Sequence, residues 1–136
     1  MIFVDSNVLV ALVDPHDALR DRAAADMRML RSKPLLLTWP VLTESLHFLR
    51  TAPLRLALDQ VIAAFAMKLA EPNLSPPLHD VLLWLRRYKD HRPDFTDAYL
   101  VNATLLDRKL SVWTYDSEFS TIWRRPDGSA VPLAVK

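Results

Sequence analysis

Three short apolar runs, far apart in the chain, decide most of what it can fold into. They cover residues 2–4, 35–38 and 110–114. Each is too short for a helix and too evenly apolar for a half-exposed strand, so each reads as a strand covered on both faces. Strands of that kind belong to parallel sheets, and parallel neighbours need long crossovers that are usually helical. The stretches between the runs are long enough to supply them. The order strand, helices, strand, helices, strand indicates an α/β protein: a three-layer α/β/α sandwich with a short, mostly parallel sheet.

The connecting stretches support that reading. Residues 7–13 look like a short helix stopped by Asp14-Pro15. Asp17 has the form of an N-cap for a helix reaching about residue 30. Pro40 suits the first turn of a helix over about 41–50 that carries Glu44. A longer apolar-striped helix is expected over 54–69, closed by Pro72-Asn73, and another over 78–88 after Pro76-Pro77. Asp94-Phe95-Thr96-Asp97 opens a helix running to about residue 107, and a last short strand falls near 130–135. Residues 1–136 are expected to form one domain without a linker.

Composition narrows the function. Hydrophobic residues make up 51% of 136 and charged residues 24%, which is globular material with a sizeable core. The net charge of +1 does not by itself point to nucleic acid, so any basic surface must be local. With no cysteine, thiolate metal sites and disulfides are excluded, and a cytoplasmic location is the expectation. No signal peptide or membrane-spanning stretch is visible. Gly128 is the only glycine, which leaves no glycine-rich phosphate loop.

Chemistry is carried by acids. Asp5 ends the first strand, where Ser6 and Asn7 lead into a helix, and Asp116 follows the third strand. Glu44 lies in the helix after the second. Parallel strands send their C-terminal ends to one edge, the ligand-binding edge of α/β sheets, so these three converge by topology. Asp97 opens a later helix, and its position depends on the path after Pro93. Clustered carboxylates repel one another and would take up protons unless a hard divalent cation, Mg2+ or Mn2+, is held between them. Such ions activate water for in-line phosphodiester cleavage, leaving a 5′-phosphate and a 3′-hydroxyl. His16, His47, His79 and His91 are scattered, which argues against zinc.

Four pieces, Val4-Asp5-Ser6-Asn7-Val8-Leu9, Thr43-Glu44, Asp94-Phe95-Thr96-Asp97-Ala98 and Thr114-Tyr115-Asp116-Ser117-Glu118-Phe119, together span nearly the whole chain. In order and spacing the sequence resembles the PIN-domain ribonucleases of the VapC toxin type. The resemblance implies a metal-dependent endoribonuclease with an α/β/α fold, usually a homodimer, often held inactive by a VapB-type antitoxin. It matches Asp5, Glu44, Asp97 and Asp116 to the family's four acids, with Asp5, Asp97 and Asp116 as the main metal ligands. Ser6, Asn7, Asp94 and Ser117 stand beside them. Asp94 has two readings, a fifth acid near the metal or the N-cap of its helix with Asp97 as capping-box partner. Ser6 is either a site hydrogen-bond donor or a helix cap. Asn7 is expected to orient a carboxylate.

Other functions compete. A PIN-like module that binds RNA or a protein without cutting has the same elements. A haloacid-dehalogenase-type phosphatase also places an Asp at the end of strand one, but wants a second two positions later, where this chain has Asn7. Arg86, Arg87, Lys89 and Arg92 form the most basic stretch, open to RNA phosphates, an acidic partner or solvent. Trp39, Trp84, Trp113 and Trp123 read as core or interface aromatics. Trp123 with Arg124 and Arg125 also has the make-up of a single-stranded RNA contact.

Overall fold

The first strand, β1 (Ile2–Val4), lies inside the sheet, with a neighbour on each side. On one side is β2 (Leu35–Leu37) followed by β3 (Lys68–Leu69), and on the other β4 (Ser111–Trp113). The order is β3-β2-β1-β4 and every pairing is parallel. These elements come from a computed structural model that describes residues 1–136.

Between β1 and β2 run α1 (Ser6–Val13) and α2 (Arg20–Leu30). Between β2 and β3 run α3 (Trp39–Phe48) and α4 (Ala52–Ala64). The return from β3 to β4 carries α5 (Leu78–Arg87) and α6 (Phe95–Ala103). A short α7 (Glu118–Thr121) follows β4. The first two crossovers step in one direction along the sheet and the third steps back. Right-handed crossovers therefore lay the two sets of helices on opposite faces, which makes the three layers. Contacts agree: α1 packs on α2, α3 and α4, and α5 packs on α6. In addition α3 touches α6, setting the helix that carries Glu44 against the one that carries Asp97.

Burial explains the sequence pattern. β1 is wholly buried, as are Val8, Leu9, Ala11, Leu12 and Val13 of α1. A helix apolar nearly all round belongs in a core, and Ser-Asn-Val-Leu-Val-Ala-Leu-Val has that composition. Thirty buried apolar residues form one continuous cluster. Local caps set the helix starts. The Thr38 hydroxyl caps α3, with Pro40 in its first turn, and the Thr51 hydroxyl caps α4.

Several boundaries differ from expectation. The helix expected over 54–69 stops at Ala64, and the chain turns through Ala66 at φ 50° into the two-residue strand β3. The Asp17 carboxylate bonds the Leu19 backbone N–H at 2.8 Å, so it shapes the turn before α2 and does not cap it. The helix expected to reach residue 107 ends at Ala103. The last strand is reduced to isolated bridges, one of them parallel between Leu133 and Val112. No helix is long and apolar enough to cross a membrane.

Phe3 is fully buried in β1. Phe3→Ala should cost about 3–5 kcal/mol, read as a lowered urea midpoint at unchanged slope. A loss below about 1 kcal/mol would contradict the place of β1 in the core.

Candidate active site

The chain runs outward from β1 to β2 and β3, then returns to the far side of β1 as β4. The reversal makes the gap between β1 and β4 the switch point of the sheet, and ligands of such sheets bind outside the strand C-termini there. Asp5 and Asp116 flank that gap.

Asp5 is only 3% exposed. It caps α1, its Oδ1 accepting the Ser6 N–H at 2.8 Å. Its Oδ2 accepts the Thr114 hydroxyl at 2.7 Å and the Asn7 amide at 3.4 Å. The parallel register pairs Val4 with Trp113, which sets Asp5 level with Thr114 one residue on, and the Asp5 N–H donates to Trp113 O at 3.0 Å. Thr114 Oγ1 also accepts the Asp116 N–H at 3.0 Å, so one hydroxyl holds the carboxylate of Asp5 and the backbone of Asp116. Asn7 closes the junction from the first turn of α1, its Oδ1 accepting the Tyr115 N–H at 3.1 Å.

Glu44, half-buried on α3, accepts the hydroxyl of buried Ser6. Asp94 and Asp97 form a reciprocal capping box at the start of α6: the Asp97 N–H donates to Asp94 Oδ1 at 2.8 Å and the Asp94 N–H to Asp97 Oδ2 at 3.3 Å. The cap reading of Asp94 is therefore realised. Ser6 serves both readings given to it, since its N–H meets the Asp5 cap and its hydroxyl meets Glu44. Ser117 precedes α7, is exposed, and makes no side-chain cap bond.

Electrostatics shows how closely the acids lie. Burial pushes the Asp5 carboxyl up from its ordinary 3.8 to about 7, against the Thr114 and Ser6 hydrogen bonds that lower it, and the charges of Glu44 and Asp94 add to the rise. Burial also pushes Asp97 up to about 8, with further repulsion from Asp94, Asp5 and Asp116. The five acids thus share one electrostatic environment. No three of their carboxylates stand close enough to share one ion in this arrangement. Free oxygens remain, since Asp97 Oδ1, Asp116 Oδ2 and Glu44 Oε2 accept no hydrogen bond from the protein. An all-oxygen, strongly acidic donor set fits a hard divalent cation in its chemistry.

Sequence reasoning passed over Thr114 as a site residue. The signal was present: it is the last residue of the third apolar run, level with Asp5 once the register is drawn. Trp123 corrects an expectation in the other direction. It is fully buried against Trp84 and Tyr88, so it offers no surface for a base, and Arg125 is turned inward onto Thr104 Oγ1 at 3.1 Å.

A solved structure of Mycobacterium tuberculosis VapC20, a toxin that cleaves the sarcin–ricin loop, superposes with a TM-score of 0.63 at 22% identity. The match covers 89% of this chain and 94% of that one. The two chains share a fold, and the expectation of the PIN-type α/β/α architecture of VapC proteins is met. No family model matches the sequence, and no curated protein does.

Raised carboxyl pKa values tie stability to pH. The unfolded chain ionises these groups near 3.8 and the folded chain only near 7 and 8, so the folded state binds more protons between those limits. Their contribution to stability is complete below pH 3.8 and is lost as pH rises through about 7 and 8. Chelator-treated protein should lose stability from pH 4 to pH 8, and Asp5→Asn should recover about 1–3 kcal/mol at pH 8. Denaturant melts across that range check it, and stability that climbs with pH would refute the assignment.

Proposed function

We propose that the chain is a metal-dependent endoribonuclease, the toxin component of a type II toxin–antitoxin pair. The observation that carries this is the meeting of Asp5, Glu44, Asp97 and Asp116 at one sheet edge, where burial and mutual repulsion hold Asp5 and Asp97 near pKa values of about 7 and 8. A cluster that strains against its own charge favours any cation that neutralises it. The fold it shares with an RNA-cleaving toxin supports RNA as the substrate class.

Asp5, Asp97 and Asp116 would hold Mg2+ or Mn2+ with Glu44 beside them, and the ion would supply an activated water and neutralise charge at the phosphodiester. The chain's own residues do the positioning. Thr114 and the Ser6 N–H fix the Asp5 carboxylate, Ser6 holds Glu44, and Asn7 ties the end of β1 to the loop after β4. Asp94 fixes the first turn of α6 and so the height of Asp97. Loading requires Asp5 and Asp97 to lose their protons, so activity should fall as pH drops through 8 and 7.

Asp5→Asn and Asp97→Asn should each reduce cleavage of an RNA substrate by at least about 100-fold while circular dichroism stays native. Full activity in either would sink the metal-ligand assignment. One observation favours a second reading, a PIN-like module that binds RNA or protein without cutting: no three carboxylates stand within reach of one ion. Calorimetric titration with Mn2+ separates the two, because the nuclease should bind it saturably and the module should not.

A VapB-type antitoxin and a second copy of the chain are the proposed protein partners. The support is apolar exposure on α3, where Trp39 and Phe48 are each 67% exposed on the helix that carries Glu44. The apolar stripe of α4 is less available, since its Leu58 is buried and its Val61 and Ile62 are packed on the core. Light scattering at micromolar concentration should show a homodimer that Trp39→Ser with Phe48→Ser returns to monomer, and a strictly monomeric parent would refute the homodimer.

A further inference from the structure

A cavity of about 710 Å³ lies away from the acidic edge, between α5, the end of α6 and the turn at Pro126. Its volume suits a small organic ligand. We propose that it is a nucleotide-binding site, taking a nucleotide either free or as one residue of an RNA strand.

Three observations point there. The first is charge. Arg86, Arg87 and Lys89 line the cavity against one acid, Asp80, and none of the three bases is within 4.0 Å of a carboxylate. Arg87 spends one N–H on Pro126 O at 3.1 Å, while the side chains of Arg86 and Lys89 make no hydrogen bond or ion pair within the protein. Uncommitted cations at the mouth of a cavity recognise a phosphate.

The second is the apolar wall. Leu83, Leu105 and Leu106 line the same cavity, and each is more than a third exposed although large and hydrophobic. Apolar surface beside a phosphate-binding rim suits a ribose and base. The third is a polar atom without a partner. Asn102 forms part of the wall, is 3% exposed, and its Oδ1 accepts no hydrogen bond. Its amide nitrogen donates to Ala98 O at 2.7 Å, so exchanging the two amide atoms would set oxygen against oxygen. The unpaired atom is thus an acceptor, and a buried acceptor without a donor needs an explanation. That oxygen is closed to solvent, so a nucleobase N–H would satisfy it once the cavity wall yields to the ligand.

None of the five acids at the sheet edge lines this cavity. Asn102 stands five residues beyond Asp97 on α6, about 7.5 Å along the axis and roughly 140° around it. The proposal therefore holds whether or not the chain cleaves RNA, and the test avoids cleavage.

Calorimetry in EDTA, titrating the protein with AMP, CMP, GMP and UMP and then with a tetraribonucleotide, reads it directly. Saturable binding of a mononucleotide identifies the free form as a ligand, and binding of the tetranucleotide alone identifies a residue within RNA. Either supports the site if affinity falls at least about tenfold in Arg86→Glu with Lys89→Glu. Those two side chains are exposed, so the fold should survive. Leu106→Trp, which narrows the cavity without touching its charge, should weaken binding likewise. Absence of binding by any nucleotide, nucleotide binding indifferent to these changes, or binding only of acidic peptides overturns the proposal.

Discussion

Everything at the functional edge depends on how β1 is enclosed. It has a paired strand on each side and helices over both faces, so its polar backbone is fully occupied until Asp5. There the strand ends against the first turn of α1 and the end of β4. Asp5 is held at once by a helix N–H, by the Thr114 hydroxyl and by the Asn7 amide. Such a carboxylate has little freedom to rotate. The other acids reach it from α3, from α6 and from the loop after β4, so the centre joins every crossover of the fold through one fixed residue.

The cost of that arrangement is electrostatic. Hydrogen bonds to Asp5 favour its ionised form, but burial opposes them and wins. Asp97 is opposed both by burial and by its own capping partner. The capping box stabilises the start of α6 while placing two like charges three residues apart. Local helix chemistry and site chemistry thus conflict at the same pair, and such conflicts mark functional positions in proteins that are otherwise locally consistent.

Much of this was legible in the sequence, because long-range order came from simple patterns. Three apolar runs gave three of four strands, and Pro40 marked the start of α3. Asp5, Glu44 and Asp116 could be placed at one edge from topology alone. Asp97 could not, since its place depends on how the chain enters α6 after Arg92, a non-glycine residue at φ 49°. β3 was hidden for a different reason. Lys68 and Leu69 are both exposed, so no period-two burial signal exists, and the apolar stripe of α4 seemed to run through them. The end of α6 was missed because Leu105 and Leu106 continue the apolar pattern while standing at a cavity wall. Trp123 was misjudged because aromatic and arginine neighbours look alike in sequence whether they face water or the core.

The two margins of the sheet bear on how the molecule meets others. On one side the outermost strand is two residues long and begins with an exposed lysine. On the other, the C-terminal segment lies along β4, with Val112 donating to Pro132 O and accepting from Ala134. Neither margin offers a long open ladder on which a foreign strand could continue. Recognition by strand addition is thereby closed off, and any visiting chain, nucleic acid or protein, must be read by side chains on helices and loops. The same closure protects a sheet this apolar from pairing with copies of itself at high concentration.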